Sequence, residues 1–553
     1  MNLTKNQQIP LTITGVTGEG NGVGRYKLPG DDSAGIAVFV PYTAIGDEIV
    51  CRIQKVDRRF AFGRAVEIVT SSNDRCQAGE RACPAFGQCG GCVWRQVTYE
   101  AECRYKWQKV ADALAHIGGL SITPEPIIGA QNPDRYRNKA QLPVTETEKG
   151  MAVGYYAARS HRVIPHKDCP LQPTFFSTIV AIVTDWMQKN GISAYNETTH
   201  SGLIRHIYIR FAEKTGEVMV CLVSTSGKLS CMDQLTTALS AEIPGFVTLV
   251  VNINRRDTNV ILGDTEYTVY GPGSIIDELC GLRFKLSPRS FYQVNHDQTE
   301  RLYALAAKEL DLNGEETLLD LYCGVGTIGL SMARRVKTLI GVEVVAPAIE
   351  DARENAKMNG IENARFICSD AAKAAELLRK EKVQPDAVIV DPPRRGCAEE
   401  LLDTIATMSP KKVVYVSCDP ATLARDLKRF AERGYDTLRV TPVDLFPGTE
   451  HVETVVLLSR KDVYERIKFD VNVEDLQGRA SSTATYSEIK AYILEKYGLK
   501  VSSLYIAQIK DKCGFEKRDN YNIGEGKSKE LICPPEKEQA IMDAFRHFGM
   551  LRD

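Results

Sequence analysis

Apolar and polar residues alternate along residues 9–70 between glycine turns: Leu11, Ile13 and Val16, then Gly18 to Gly24, then Ile36-Ala37-Val38-Phe39-Val40. Ile49-Val50-Cys51-Arg52-Ile53 and Ala65-Val66-Glu67-Ile68-Val69 add two further runs. A period of two predicts strands with one buried face, and several such strands separated by turn signals predict a small β-barrel. A cysteine-rich loop over residues 76–92 precedes a helical pattern through Tyr99–Ile117. Residues 125–275 read as α+β, with strands near Ala152–Tyr156, His206–Phe211 and Val218–Val223. After Gln298 the pattern alternates strand and helix. Strands are predicted near residues 317–322, 338–343, 364–367, 386–391, 412–416 and 453–458, with helices between most of them, as in a doubly wound sheet.

Residues 461–553 form a distinct tail. Ser487–Tyr497 and Ser502–Lys512 read as helices opened by Ser, with Gly498 and Gly514 just past their ends. Ile489 and Ile493, and Tyr505 and Ile509, are spaced to share a helix face. A helix–turn–helix-like module fits this pair, although general RNA contact or plain docking is the commoner use of two such helices. The expected organisation is multidomain α/β: a barrel over residues 1–72, a central α+β region over 73–284, a Rossmann-like domain over 285–460 and an α-rich extension over 461–553.

Composition narrows the class. A chain of 553 residues needs several domains, because single cores rarely grow beyond about 250–300 residues. The 69 Lys+Arg against 71 Asp+Glu leave no global charge that announces a nucleic-acid partner, so local charge has to carry that argument. From Val50 to Arg64 the barrel carries Arg52, Lys55, Arg58, Arg59 and Arg64 against Asp57 alone, with Phe60 and Phe62 interleaved. Such a stripe is usually a solvated face; on a small barrel with aromatics it also suits a nucleic-acid backbone. No apolar run reaches about 18 residues, and the start of the chain, with Lys5 and no apolar core behind it, does not read as a signal peptide. The 16 cysteines then indicate a reducing, cytoplasmic setting, where clustered thiols bind metal or catalyse.

Four constellations carry chemistry. Cys83, Cys89 and Cys92, with Gly90-Gly91 in the turn, have the short spacing of a metal loop, and Cys169 before Pro170 can complete four thiolates. Spacing alone does not separate zinc from iron–sulfur; Cys76 is a spare candidate and Cys103 a weaker one. Gly324-x-Gly326-x-x-Gly329 follows a strand and opens a helix, and Glu343 ends the next strand, an arrangement that grips the ribose of a nucleotide cofactor. A nicotinamide cofactor would leave the later thiol and carboxylate without a task, so S-adenosylmethionine is the better reading. Asp391-Pro392-Pro393-Arg394 follows an apolar strand and faces the crevice of an open sheet. Cys418 occupies the equivalent position on the next strand. Pro420 starts a helix there whose N-terminus is expected to lower the thiol's pKa, and Glu453 opens another apolar run.

In this order the Gly loop, Asp-Pro-Pro-Arg, Ser417-Cys418-Asp419-Pro420 and Phe446-Pro447-x-Thr449-x-His451-Val452-Glu453 closely resemble the RNA uracil-5-methyltransferases, specifically the bacterial 23S ribosomal RNA branch. The resemblance covers most of residues 9–460 and leaves the segment beyond Arg460 outside it. It implies an N-terminal TRAM barrel that binds RNA, an iron–sulfur loop and a C-terminal methyltransferase domain. It implies that Cys418 attacks C6 of a uracil and that Glu453 removes the C5 proton after methyl transfer, the target base leaving its stack. Gln293, Tyr322, Glu343 and Asp391 then look like contacts of S-adenosylmethionine, with Asp370 a weaker addition near the adenine. Cys83, Cys89, Cys92 and Cys169 look like ligands of a [4Fe–4S] cluster, and Tyr136-Arg137-Asn138-Lys139 resembles an RNA-facing segment. The expected partner is 23S rRNA, acted on by a monomer with no membrane attachment. Two rivals share the scaffold: a tRNA uracil-5-methyltransferase, and a catalytically silent RNA-binding or chaperone-like protein.

Overall fold

A computed structural model describes residues 3–27, 35–148, 150–461, 486–499, 501–513, 534–548 and 550, in two compact units, Met1–Tyr464 and Glu465–Asp553. Within the first unit the alternating N-terminal pattern becomes a six-stranded sheet: Gln8–Thr12, Gly15–Val16, Gly22–Tyr26, Ile36–Val40, Glu48–Val56 and Phe60–Thr70. Ile9, Leu11, Ile13, Val38, Val40, Ile49, Cys51 and Ile53 point to one side and form its core. The sheet curls until the first strand meets the third, where a Cβ on Gly24 would lie 2.6 Å from the Thr12 carbonyl oxygen. Only glycine allows that closure. The last strand starts earlier than its apolar run, so Phe60 and Phe62 belong to it and form a cluster with Phe39, ring centroids 5.6 Å apart. The exposed Arg52 and Arg64 face each other across the last two strands.

The helix Tyr99–Ala113 begins at Thr98, whose hydroxyl accepts from the Ala101 amide, and its end widens into a π-helical turn, Leu114–Gly118. The central sheet follows in the order Thr265–Tyr270, Phe246–Ile253, Val218–Ser224, Ile204–Phe211, Lys139–Thr147, Gly150–Tyr156, Val163–Pro165. Helices Phe176–Lys189 and Met232–Glu242 cover it through Ile179, Val183, Leu235 and Leu239.

The C-terminal sheet of this unit runs Ala364–Cys368, Thr338–Glu343, Thr317–Leu321, Ala387–Val390, Lys412–Ser417, Glu453–Arg460, Tyr435–Val443. The first five are parallel and read as near-continuous apolar runs because both faces are covered by helices. Glu453–Arg460 enters antiparallel between Lys412–Ser417 and Tyr435–Val443. The edge strand Tyr435–Val443 was not among the strands expected from the sequence: its residues alternate only weakly and include Arg439 and Pro442.

Side chains of the Tyr99–Ala113 helix bind the irregular segment that leads into Glu453. Fully buried Lys106 donates to Glu102 (2.7 Å), Asp444 (2.7 Å) and the Phe446 carbonyl (3.0 Å). Burial opposes its charge, but Asp444 and Glu102 outweigh that and hold the ammonium above its usual range. Arg81 neutralises the other oxygen of Glu102 at 2.5 Å.

In the second unit, helices Tyr486–Tyr497, Ser503–Lys512 and Pro535–His547 share a core of Ile489, Ile493, Ile506, Ile509, Ile541 and Phe545. Tyr492 stacks on His547 at 4.2 Å. Gly514 lies outside the described residues. No helix among the described residues is long and apolar enough to cross a membrane.

Removing one partner of a buried ion cluster leaves the others uncompensated. Lys106→Ala should therefore lower the unfolding free energy by about 3–5 kcal/mol in denaturant titration. A loss under about 1 kcal/mol would show that this charge does not hold Glu102 and Asp444.

Candidate active site

The parallel strands end along one edge, and the site is built from the residues just past those ends. After Thr317–Leu321 the chain turns through Tyr322, Gly324 and Gly326, with φ of 67°, 56° and 86°, and enters the helix Thr327–Met332. Glycine is well suited to that left-handed turn, whereas Tyr322 takes it as a strained residue. Gly329 serves a different need: a Cβ there would lie 2.6 Å from Asp320 Oδ2, where the Gly329 amide now donates at 2.9 Å. Glu343, at the end of the neighbouring strand, accepts from the amides of Gly324 (3.2 Å), Val344 (2.8 Å) and Val345 (2.9 Å). The loop and the acid are thus fixed to each other. Asp370 accepts from Ala372 (3.1 Å) and Lys373 (3.3 Å), so one of its oxygens caps the helix Ala371–Lys380.

Register brings the thiol to the carboxylate. Ser417 pairs with Thr454 in the antiparallel ladder, so the next residues outward, Cys418 and Glu453, meet at the strand end. Asp391 follows the adjacent strand Ala387–Val390. These residues, with Gln293, Tyr322, Glu343 and Asp370, line one cavity of about 910 Å³, and Cys83, Cys89, Cys92 and Cys169 line it too.

The acids beside Cys418 are poorly solvated. Burial and the nearby Asp391 push Glu453 up to about 8, against the pull of Arg394. Desolvation alone pushes Asp391 up to about 7. Burial, then Glu453 and Asp391, push the Cys418 thiol up to about 11. The expected lowering of this thiol is therefore corrected: Pro420–Glu432 does start beside it, but its first amides, Ala421 and Thr422, are taken by Asp419 Oδ1 at 2.9 and 3.0 Å. Arg394 opposes the rise and also donates to His451 Nε2 at 2.8 Å.

The four thiols separate cleanly from the spare cysteines. Cys92 packs with Cys169, Tyr136, Leu171 and Phe446, while Cys83 and Cys89 pack with Ala85, Ala157 and Ile164. Burial and then the Cys169 charge push Cys92 up to about 12, and burial pushes Cys169 up to about 11. Cys76 instead donates to the Val97 carbonyl at 2.8 Å, and neither it nor Cys103 lines the cavity. Among the described residues no three His, Cys, Asp or Glu side chains are grouped closely enough to hold a single metal ion.

Two residues at this site escaped the reading of the sequence. Asp320 is buried within a strand, with one oxygen lacking any partner among the described residues, and burial pushes it up to about 8. A lone acid in an apolar strand was its available signal. Phe291, two residues before Gln293, is 63% exposed on the cavity wall. Lys139, in the segment expected to face RNA, lies on the cavity wall beside Arg137, and burial together with Arg210 and Arg137 pushes it down to about 7.

Comparison with known proteins agrees with this architecture. The family described as tRNA (Uracil-5-)-methyltransferase matches residues 238–461, and the TRAM domain matches residues 3–66. An uncharacterized RNA methyltransferase of Clostridium tetani is 40% identical over 455 residues, 82% of this chain and 97% of the relative. One from Halalkalibacterium halodurans is 41% identical over 461 residues, 83% of this chain and 98% of the relative. The crystal structure of Pyrococcus abyssi tRNA (uracil-54, C5)-methyltransferase in complex with S-adenosyl-L-homocysteine superposes with a TM-score of 0.65 at 27% identity, covering 81% of this chain and 99% of that one. With a TRAM barrel at one end, the uracil-methyltransferase fold at the other and relatives near 40% identity over their whole length, the chain belongs to the RNA uracil-5-methyltransferase family.

Proposed function

We propose that this protein methylates C5 of a uridine in 23S rRNA, with Cys418 as nucleophile and Glu453 as the base. The observation that carries the reading is the meeting of Cys418 and Glu453 at the end of one antiparallel ladder, in the cavity that also contains the Gly loop. Uracil C5 is a poor nucleophile until C6 is occupied. Cys418, ionised to the thiolate, adds to C6, and the C5=C6 electrons move onto C5 and O4. S-adenosylmethionine, when bound, supplies the electrophilic methyl group that C5 takes. Glu453 then accepts the C5 proton, C5=C6 re-forms and the bond from C6 to Cys418 breaks, returning the thiolate.

The residues present suit such a donor. At Gly324 the left-handed loop presents bare backbone with open space beside it, Glu343 retains free lone pairs, and Gln293, Tyr322, Asp370 and Asp391 lie on the same wall. A cation entering beside these acids favours the ionised forms of Asp391, Glu453 and Cys418 together.

We assign a [4Fe–4S] cluster to Cys83, Cys89, Cys92 and Cys169. Four half-buried thiols share one wall; burial raises Cys89, Cys92 and Cys169, and the neighbouring thiols add to each rise, a repulsion that a cationic iron core removes. The exposed Arg52, Arg58, Arg59 and Arg64 of the barrel, beside the Phe39–Phe60–Phe62 cluster, supply an RNA-binding face. Action on tRNA is the second reading, and the likeness to the Pyrococcus abyssi enzyme over 99% of its length favours it.

Given unmodified 23S rRNA and tRNA with labelled donor, the protein should place 5-methyluridine in 23S rRNA. Label confined to tRNA would shift the substrate to the second reading. Cys418→Ala should abolish product, and Glu453→Gln should trap a covalent protein–RNA adduct on denaturing gels; normal product from the Cys418 variant would sink the mechanism. Because both the base and the nucleophile must be ionised, kcat should rise with pH through about 8, where Asp391 and Glu453 titrate as a pair, and go on rising above it as Cys418 ionises. A flat profile between about pH 6 and 9 would contradict that role. Anaerobically purified protein should be brown and carry iron and sulfide; colourless protein with stoichiometric zinc would overturn the cluster.

A further inference from the structure

The segment from Asp444 to Val452 has no regular structure of its own, yet it delivers Phe446, Thr449, Glu450 and His451 to the cavity and leads directly into Glu453. Side chains from elsewhere bind its backbone. Lys106 takes the Phe446 carbonyl at 3.0 Å, and Tyr136 the Pro447 carbonyl at 3.0 Å. Glu102 takes the Gly448 amide at 2.6 Å. The Val93 amide holds the Gly448 carbonyl at 2.9 Å. The last anchor before the catalytic strand is Lys109, whose ammonium donates to the Glu450 carbonyl at 2.8 Å.

Lys109 also touches the barrel. A Cβ built on Gly18 would lie 3.3 Å from its Cε and within 3.9 Å of its Cγ, so the barrel turn around Gly18 rests on the lysine's aliphatic stem. One side chain thus spans from the barrel to the backbone beside His451. We propose that Lys109 is a positioning residue that sets Glu453 through the Glu450 carbonyl and couples that setting to the barrel turn at Gly18. The inference rests on the uridine-methylation reading. Its specific consequence lies in the last step, where Glu453 takes the C5 proton, C5=C6 re-forms and Cys418 leaves. A displaced base slows that step more than attack or methyl transfer.

The test compares full-length wild type with Lys109→Met, Lys109→Arg and Gly18→Val. Gly18 is exposed and not in a left-handed conformation, so its substitution acts on Lys109 rather than on the barrel fold. Lys109→Met should lower turnover about 10-fold and raise the fraction of enzyme trapped as methylated RNA adduct. Donor affinity should be unchanged, Lys109→Arg should restore most activity, and Gly18→Val should move turnover and adduct in the same direction as Lys109→Met. Independently of activity, Lys109→Met should speed hydrogen–deuterium exchange at residues 446–452 alone. Unchanged exchange there, or wild-type turnover without extra adduct, overturns the positioning role while leaving uridine methylation intact. Wild-type protein that forms neither 5-methyluridine nor adduct overturns both.

Discussion

The antiparallel entry of Glu453–Arg460 beside Lys412–Ser417 is the constraint on which the site depends. In a purely parallel sheet every strand delivers its C-terminal end to the active edge, and each contributes one residue past its last ladder bond. Reversing one strand brings an N-terminal end to the same edge. A carboxylate at the start of a strand thereby meets a thiol at the end of its neighbour, although 35 positions separate Cys418 from Glu453 in the sequence. The ladder also fixes their relation: a slip of Glu453–Arg460 by one residue would turn Glu453 to the other face and leave Cys418 without it.

The second constraint is electrostatic. Glu453, Asp391 and Asp320 lie close together in poorly solvated surroundings, and burial raises each of them. Carboxyls kept near neutrality in this way can exchange protons near physiological pH, which suits a base that must load and unload in each cycle. The Lys106 cluster gives similar groups direct partners. There two cations and two anions, Lys106 and Arg81 with Glu102 and Asp444, are matched at hydrogen-bond distance, and the result is a support for the segment before Glu453. The difference is partner count, not burial.

The reading of Cys418 shows how local reasoning falls short. A thiol before a Pro-initiated helix is locally a candidate for a lowered pKa, and the helix is present. The outcome is set by Asp419, which takes the first amides of that helix, and by Glu453, which arrives from a different strand. Similarly, Cys76 looked interchangeable with its neighbours by spacing, yet its thiol is spent on the Val97 carbonyl. The missed strand Tyr435–Val443 is an edge strand with no neighbouring strand on its outer side, which tolerates Pro442 and weakens the pattern that marks interior strands.

The sequence by itself determined the alternating barrel, the near-continuous apolar strands of the doubly wound sheet, the glycine loop and the thiol, acid and cysteine motifs. Each of these follows from short-range physics: side-chain period, the φ freedom of glycine, and the chemistry of the residue types. Tertiary structure alone decided that these motifs share one cavity, that Glu453 reaches Cys418 by strand reversal, and that their pKa values rise rather than fall. It also decided that Lys106 and Lys109 hold the segment leading to the base. Such effects depend on which groups become neighbours and how much water remains between them, and neither is encoded in the spacing of residues along the chain.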